Sequence, residues 1–164
     1  MDVLAHASWS AIMYSQQKKY SLWLVALLGV APDFLSFGPY FLTEIWNHAI
    51  PFGHRDLTQI PPYVYSLYNV THSLIIWLLI GIALCVLMRR LVWEWGAWGL
   101  HIVIDIFSHS SRFFPTPFLW PVSNFHVNGV SWASPWFMAI NYGLLVVIGT
   151  TAFILRRRKF SAKP

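Results

Sequence analysis

The sequence predicts an all-α integral membrane protein, a bundle of about five helices forming a single domain over residues 1–164. Three observations carry this expectation. Hydrophobic residues make up 57% of the chain and charged residues only 10%, against about 25% charged in soluble domains. The mean hydropathy of +0.53 and the ten tryptophans suit a bilayer and its interfaces. The basic residues form short clusters at the ends of apolar runs: Lys18 with Lys19, Arg89 with Arg90, and Arg156 to Lys159 with Lys163. That is the positive-inside pattern, so the net charge of +5 does not point to nucleic acid. A single cysteine, Cys85, offers neither a disulfide nor a thiolate metal cage. The first segment lacks the basic start of a removable signal peptide.

Taken in order, residues 3–16 are helix-compatible but short for a full crossing, and Lys18 and Lys19 mark the turn after them. Residues 20–37 read as an apolar helix with Pro32 and Asp33 near its far end. Residues 38–65 read as a long loop rich in Gly, Pro and aromatics, with a short interfacial helix around 40–49. Pro61 and Pro62 suit a helix entry, where a missing N–H is harmless. Residues 66–88 are long enough to cross the roughly 30 Å hydrocarbon core. Residues 92–109 form a fourth helix, residues 110–131 a second long loop, and residues 133–155 a fifth helix before the basic tail. This gives four long or medium spans plus a short N-terminal helix. Positive-inside topology then places the chain in an inner (cytoplasmic) membrane, with the N-terminus and both long loops outside and the C-terminus cytoplasmic.

The functional signal lies in the stretch Trp98 to Arg112, where His101, Asp105 and His109 recur every four residues in an apolar run. On a helix these positions lie nearly above one another. A carboxylate in such surroundings needs a compensating partner. Counting residues from the basic turns at about 1.5 Å each puts His6, Asp33, His72, His101 and Asp105 at one level, roughly 17 to 26 Å above the cytoplasmic ends. Four helices therefore bring ligand-type side chains to the outer half of the bilayer. The expected metal ligands are His6, Asp33, His72, His101 and Asp105, with His109 one turn further out. The ion is zinc, or alternatively manganese, because imidazole nitrogen and carboxylate oxygen suit both.

So large an inventory allows two metals sharing a carboxylate, or one metal with a general base and supporting partners. Asp33 or Asp105 is the candidate base. Arg112 either clamps an anionic substrate group or is a snorkelling interfacial side chain. Taken one at a time, these histidines are equally compatible with interhelical packing and hydrogen bonding. His48, His54 and His126 read as solvated loop residues.

The segments Thr71-His72-Ser73-Leu74, residues 100–110 (LHIVIDIFSHS) and residues 113–132 (FFPTPFLWPVSNFHVNGVSW) resemble the bacterial membrane-bound metal-dependent hydrolase family, small inner-membrane proteins of which some are LexA-regulated. The recurring elements match His6, Pro32-Asp33, Thr71-His72-Ser73, His101 to Asp105, and Pro117-Phe118 with Trp120-Pro121. The chain departs from the resemblance at His54-Arg55, which is followed by Asp56 and lies well upstream of Thr71. The resemblance implies metal-dependent hydrolysis. A site at headgroup depth favours a lipid or lipid-linked ester or phosphoester. Two other classes compete: a transporter in which the same cluster binds metal ions or relays protons, and a scaffold whose metal is structural.

Overall fold

The computed structural model describes residues 1–47 and 60–161, and all of its regular structure is helical, with no strand among the described residues. The helices are α1 (Val3–Tyr14), α2 (Leu22–Trp46), α3 (Pro62–Thr71), α4 (Leu74–Met88), α5 (Gly96–Ser108) and α6 (Pro135–Ser161), with a 3₁₀ turn at Trp93–Trp95 before α5.

Their ends follow from local chemistry. The Asp2 carboxylate accepts from the Ala5 amide to cap α1, and Ser21 caps α2 through Leu24. Pro62 occupies the first turn of α3, as the paired prolines predict. The expected single helix over 66–88 is instead two helices bent by 56°. The cause is Ser73, whose hydroxyl accepts from the Ile76 amide and starts α4 afresh. A serine inside an apolar run is here a capping signal. Arg89 ends α4 in the left-handed region, with φ at 49°.

Two further boundaries differ from expectation. The loop expected from residue 38 begins only after Trp46, because α2 runs on through Pro39, and the helix expected at 40–49 is its last turns. Both Pro32 and Pro39 sit inside α2, each deleting one backbone hydrogen bond; neighbouring helices make this tolerable in apolar surroundings. The final helix extends past residue 155 to Ser161 and carries the basic cluster on its last turns.

The four spans expected beside a short N-terminal helix are therefore too many. Among the described residues two helices, α2 and α6, are long and apolar enough to cross a membrane, and the bent pair α3–α4 makes a third if counted as one span. With 13 residues, α5 reaches about 20 Å, short of the hydrocarbon thickness.

Helix α1 lies against α2, and α2 in turn against α3 and α5. The approach of α1 to α2 is made possible by Gly29: a Cβ there would fall 2.1 Å from Ser10 Oγ. Trp77 of α4 and Trp95 each donate an indole N–H to the other's carbonyl, at 3.1 and 2.9 Å, which ties α4 to the start of α5. Helix α6 is fastened to α1 by Trp9 donating to Asn141 and by Arg156 donating to the Ser15 carbonyl. The Lys18 ammonium stands 4.4 Å from the centre of the Phe160 ring, so the first and last basic clusters share one end of the molecule.

Candidate metal centre

Ligand-type residues of three different segments meet at the other end of α1. Asp33 from α2, His72 from the α3–α4 break, and His101 and Asp105 from α5 bring four ligand atoms within 4.8 Å of one another. His72, His101 and Asp105 are fully buried, while the Asp33 side chain keeps 15% of its surface exposed. The bend at Ser73 is what aims His72 inward: as the residue closing α3 it leaves helical geometry, with φ −106° and ψ 15°.

The protons decide what the cluster can be. His101 Nδ1 lies 2.7 Å from the Gly29 carbonyl, and a carbonyl can only accept. The ring proton is therefore on Nδ1, leaving a lone pair on Nε2. His72 Nδ1 lies 2.9 Å from the Thr71 hydroxyl and 3.2 Å from the Tyr68 carbonyl, and a proton on Nδ1 donated to that carbonyl gives the same tautomer. The two Nε2 lone pairs then confront each other at 3.1 Å and face Asp105 Oδ2, at 3.2 Å from His101 and 3.6 Å from His72. Asp33 Oδ1 is 3.6 Å from His72 Nε2 and 3.8 Å from His101 Nε2. Asp105 Oδ2 is buried and has no hydrogen-bond donor.

If both rings are neutral in this form, four ligand atoms converge with their lone pairs facing one another. That arrangement is repulsive unless a cation sits between them. A tetrahedral zinc with bonds of about 2.0–2.1 Å places its ligand atoms about 3.3 Å apart, close to the separations seen here. Carbonyl acceptors on both Nδ1 atoms are the usual means of orienting metal-bound imidazoles. This buried Asp/His cluster can hold a metal ion.

His6 and His109 reach the cluster from its other side. His6 Nε2 lies 3.0 Å from Asp105 Oδ1, and its ring stacks on His101 with centroids 3.6 Å apart. His109 is not the third residue of a helical stripe: it follows the last turn of α5 with extended backbone, φ −112° and ψ 135°. Its ring is turned back because Nδ1 donates to the Phe114 carbonyl at 2.7 Å, which leaves Nε2 3.5 Å from Asp105 Oδ1. The Met1 nitrogen donates to the same oxygen and lies 3.0 Å from His109 Nε2.

Arg112 is exposed and makes no hydrogen bond or ion pair with a described residue. His126 is exposed in the loop before α6, as expected, while His48 and His54 lie outside the described residues.

Several participants escape a reading of the sequence. The Tyr68 ring stacks on His72 at 3.8 Å, and its hydroxyl donates to the Phe114 carbonyl at 3.1 Å. Its position four residues before His72 is the one signal the sequence offers. The carbonyls of Gly29 and Phe114 carry no side-chain signal at all.

What fold and site define is a class: an apolar, all-helical protein with two or three possible membrane spans and a buried Asp/His cluster able to hold a metal. No family model, curated protein or solved structure matches the chain.

Proposed function

We propose that the protein is a membrane-embedded metal-dependent hydrolase, with zinc as the preferred ion, acting at the outer face of a cytoplasmic membrane on a lipid or lipid-linked ester or phosphoester. The observation that carries the metal is the set of four ligand atoms within 4.8 Å of one another, in which the two imidazole nitrogens lie 3.1 Å apart and 3.2 to 3.8 Å from the carboxylate oxygens. A divalent ion in such a donor set supplies Lewis-acid polarisation and acidifies water. His72, His101 and Asp105 are the buried holders, fixed by the Gly29 and Tyr68 carbonyls. Asp33 is the partly exposed corner and the more distant from His101 of the two carboxylates. It is the group that can leave a coordination position to solvent and take a proton as general base. The resemblance to the membrane-bound hydrolases and the apolar outer surface favour a lipid-derived substrate.

A structural metal is the second reading, and the closed set of four protein donors favours it. Transport is less well supported: among the described residues no further group of His, Cys, Asp or Glu converges toward the basic end to continue a path. The test is elemental analysis of the detergent-purified protein beside His101→Ala, followed by assay of phospholipid and acyl-ester hydrolysis with Asp33→Asn. The hydrolase reading expects bound zinc or manganese, lost in His101→Ala, and turnover reduced at least about 100-fold in Asp33→Asn with metal retained. Retained metal without turnover on either substrate class leaves the structural reading. A metal-free protein refutes both.

A further inference from the structure

At the end of α1 remote from the cluster, an apolar groove of about 880 Å³ lies between α1, α4 and the turn before α5, within the usual size of a small-molecule site. Met13 and Tyr14 of α1, Trp77, Gly81 and Cys85 of α4, and Trp93 line it. Arg89 and Arg90 follow the last residue of α4 and complete the lining at that end. We propose that the groove binds one anionic phospholipid, its phosphate held by Arg89 and Arg90 and an acyl chain lying along α4 toward Trp77. The site is separate from the metal cluster and does not depend on the metal reading.

Length and wall chemistry both fit a lipid chain. With 15 residues α4 rises about 22 Å, more than the roughly 15 Å that one leaflet contributes to the hydrocarbon core. The polar atoms of the aromatic wall are spent within it. Trp77 and Trp95 donate their indole N–H groups to each other's carbonyls, and the Tyr14 hydroxyl donates to the Trp93 carbonyl. The wall therefore offers rings and aliphatic carbon to an acyl chain. Among the described residues, the charges lining the groove are those of Arg89 and Arg90 alone.

Charge complementarity selects an anionic headgroup. Arg89 is exposed, and its guanidinium makes no hydrogen bond or ion pair with a described residue. Arg90 meets Glu94 at 3.4 Å through Nη1 alone, which also donates to the Leu91 carbonyl, and about half of its side chain stays exposed. Two adjacent guanidinium groups with free N–H donors suit phosphate oxygens, and basic pockets between membrane helices are a recurrent headgroup site. Arg89 also holds φ at 49°, a backbone that glycine adopts without strain and arginine does not, so the turn itself does not call for an arginine. A second copy of the chain is the poorer occupant, because it has few carboxylates to offer. Of its six acidic residues, Asp33 and Asp105 belong to the cluster, Asp2 caps α1 and Glu94 already faces Arg90.

The experiment is native mass spectrometry of the full chain in detergent, titrated with dioleoyl phosphatidylglycerol or with dioleoyl phosphatidylcholine, which has the same chains and no net charge. The wild type is expected to carry one phosphatidylglycerol, bound about tenfold or more tighter than phosphatidylcholine. Arg89→Gln/Arg90→Gln should bring the two lipids to equal affinity. Arg157→Gln/Arg158→Gln removes the same charge from the end of α6 and should keep the preference. Val86→Trp, at an exposed position of the lining, should weaken phosphatidylglycerol binding by filling the groove with both arginines intact. The site is overturned by equal affinity in the wild type, by a preference that survives Arg89→Gln/Arg90→Gln, by the same loss in the α6 variant, or by unchanged binding in Val86→Trp. A stable dimer that carries no lipid also overturns it and gives the groove to a second copy.

Discussion

Helices α5 and α6 are both strongly apolar in sequence, and the structure treats them in opposite ways. In α5, 13 residues long, Ala97, Gly99, His101, Ile102, Asp105, Ile106 and Ser108 are buried. In α6, more than twice as long, only Asn141 and Leu145 are buried among the described residues, and Val146 and Val147 are well exposed. Helix α4 is more extreme, with no buried residue at all. In water the greasiest helix would be the most enclosed. Here the enclosed helix is the one carrying ionisable groups within its apolar length, whereas those of α6 lie only on its last turns. A leucine or valine gains nothing by leaving lipid for protein, whereas histidine and aspartate must find partners that only protein provides. Hydropathy in this chain marks what turns outward, and polar atoms mark what turns inward.

That contrast can be broken experimentally, and the largest effect is expected at its polar pole. Asp105→Ala should remove the metal entirely and leave four buried imidazoles without the carboxylate they share. The cost in thermal or denaturant unfolding should be about 3–5 kcal/mol, as when one partner of a buried charged pair is deleted. If Asp105→Ala keeps its metal and its stability, then α5 is enclosed for packing and the contrast loses its cause.

A smaller loss is expected at the α1–α2 contact. Gly29→Val would drive its new Cβ to within 2.8 Å of Ser10 Cβ and press on the His6 carbonyl at 3.2 Å. Overpacking of this kind costs about 1–3 kcal/mol, and Ser10→Gly in the same chain should return part of it. Unfolding of the two variants in detergent reads the difference; equal stability for Gly29→Val and wild type would mean that α1 is loosely held.

The smallest effect belongs to α6. Val147→Ala should change stability by no more than about 0.5 kcal/mol, since the side chain meets lipid or detergent in either form. A loss comparable to that of a core substitution would show that α6 is covered by protein, and a change of oligomeric state on size exclusion would locate the partner as another copy of the chain.

The candidate site was largely legible because ionisable residues are so scarce in the apolar segments. His6, Asp33, His72, His101 and Asp105 are nearly the only such groups there, and counting turns from the basic clusters places them at one level, where the structure brings them together. The span count was not legible in the same way. Residues 66–88 have the hydropathy of one crossing helix, and only the capping hydrogen bond of Ser73 turns them into two pieces at 56°.

By itself, then, the sequence determined that the chain is helical and apolar and that its few ionisable side chains share one depth, since composition and a rise of about 1.5 Å per residue suffice for that. Tertiary structure alone decided the division of labour within the cluster. Which carboxylate oxygen faces which imidazole, and which ring nitrogen keeps its proton, depends on the Gly29, Tyr68 and Phe114 carbonyls. Backbone carbonyls are present at every position of every sequence, so only the fold determines which of them are aimed at a histidine.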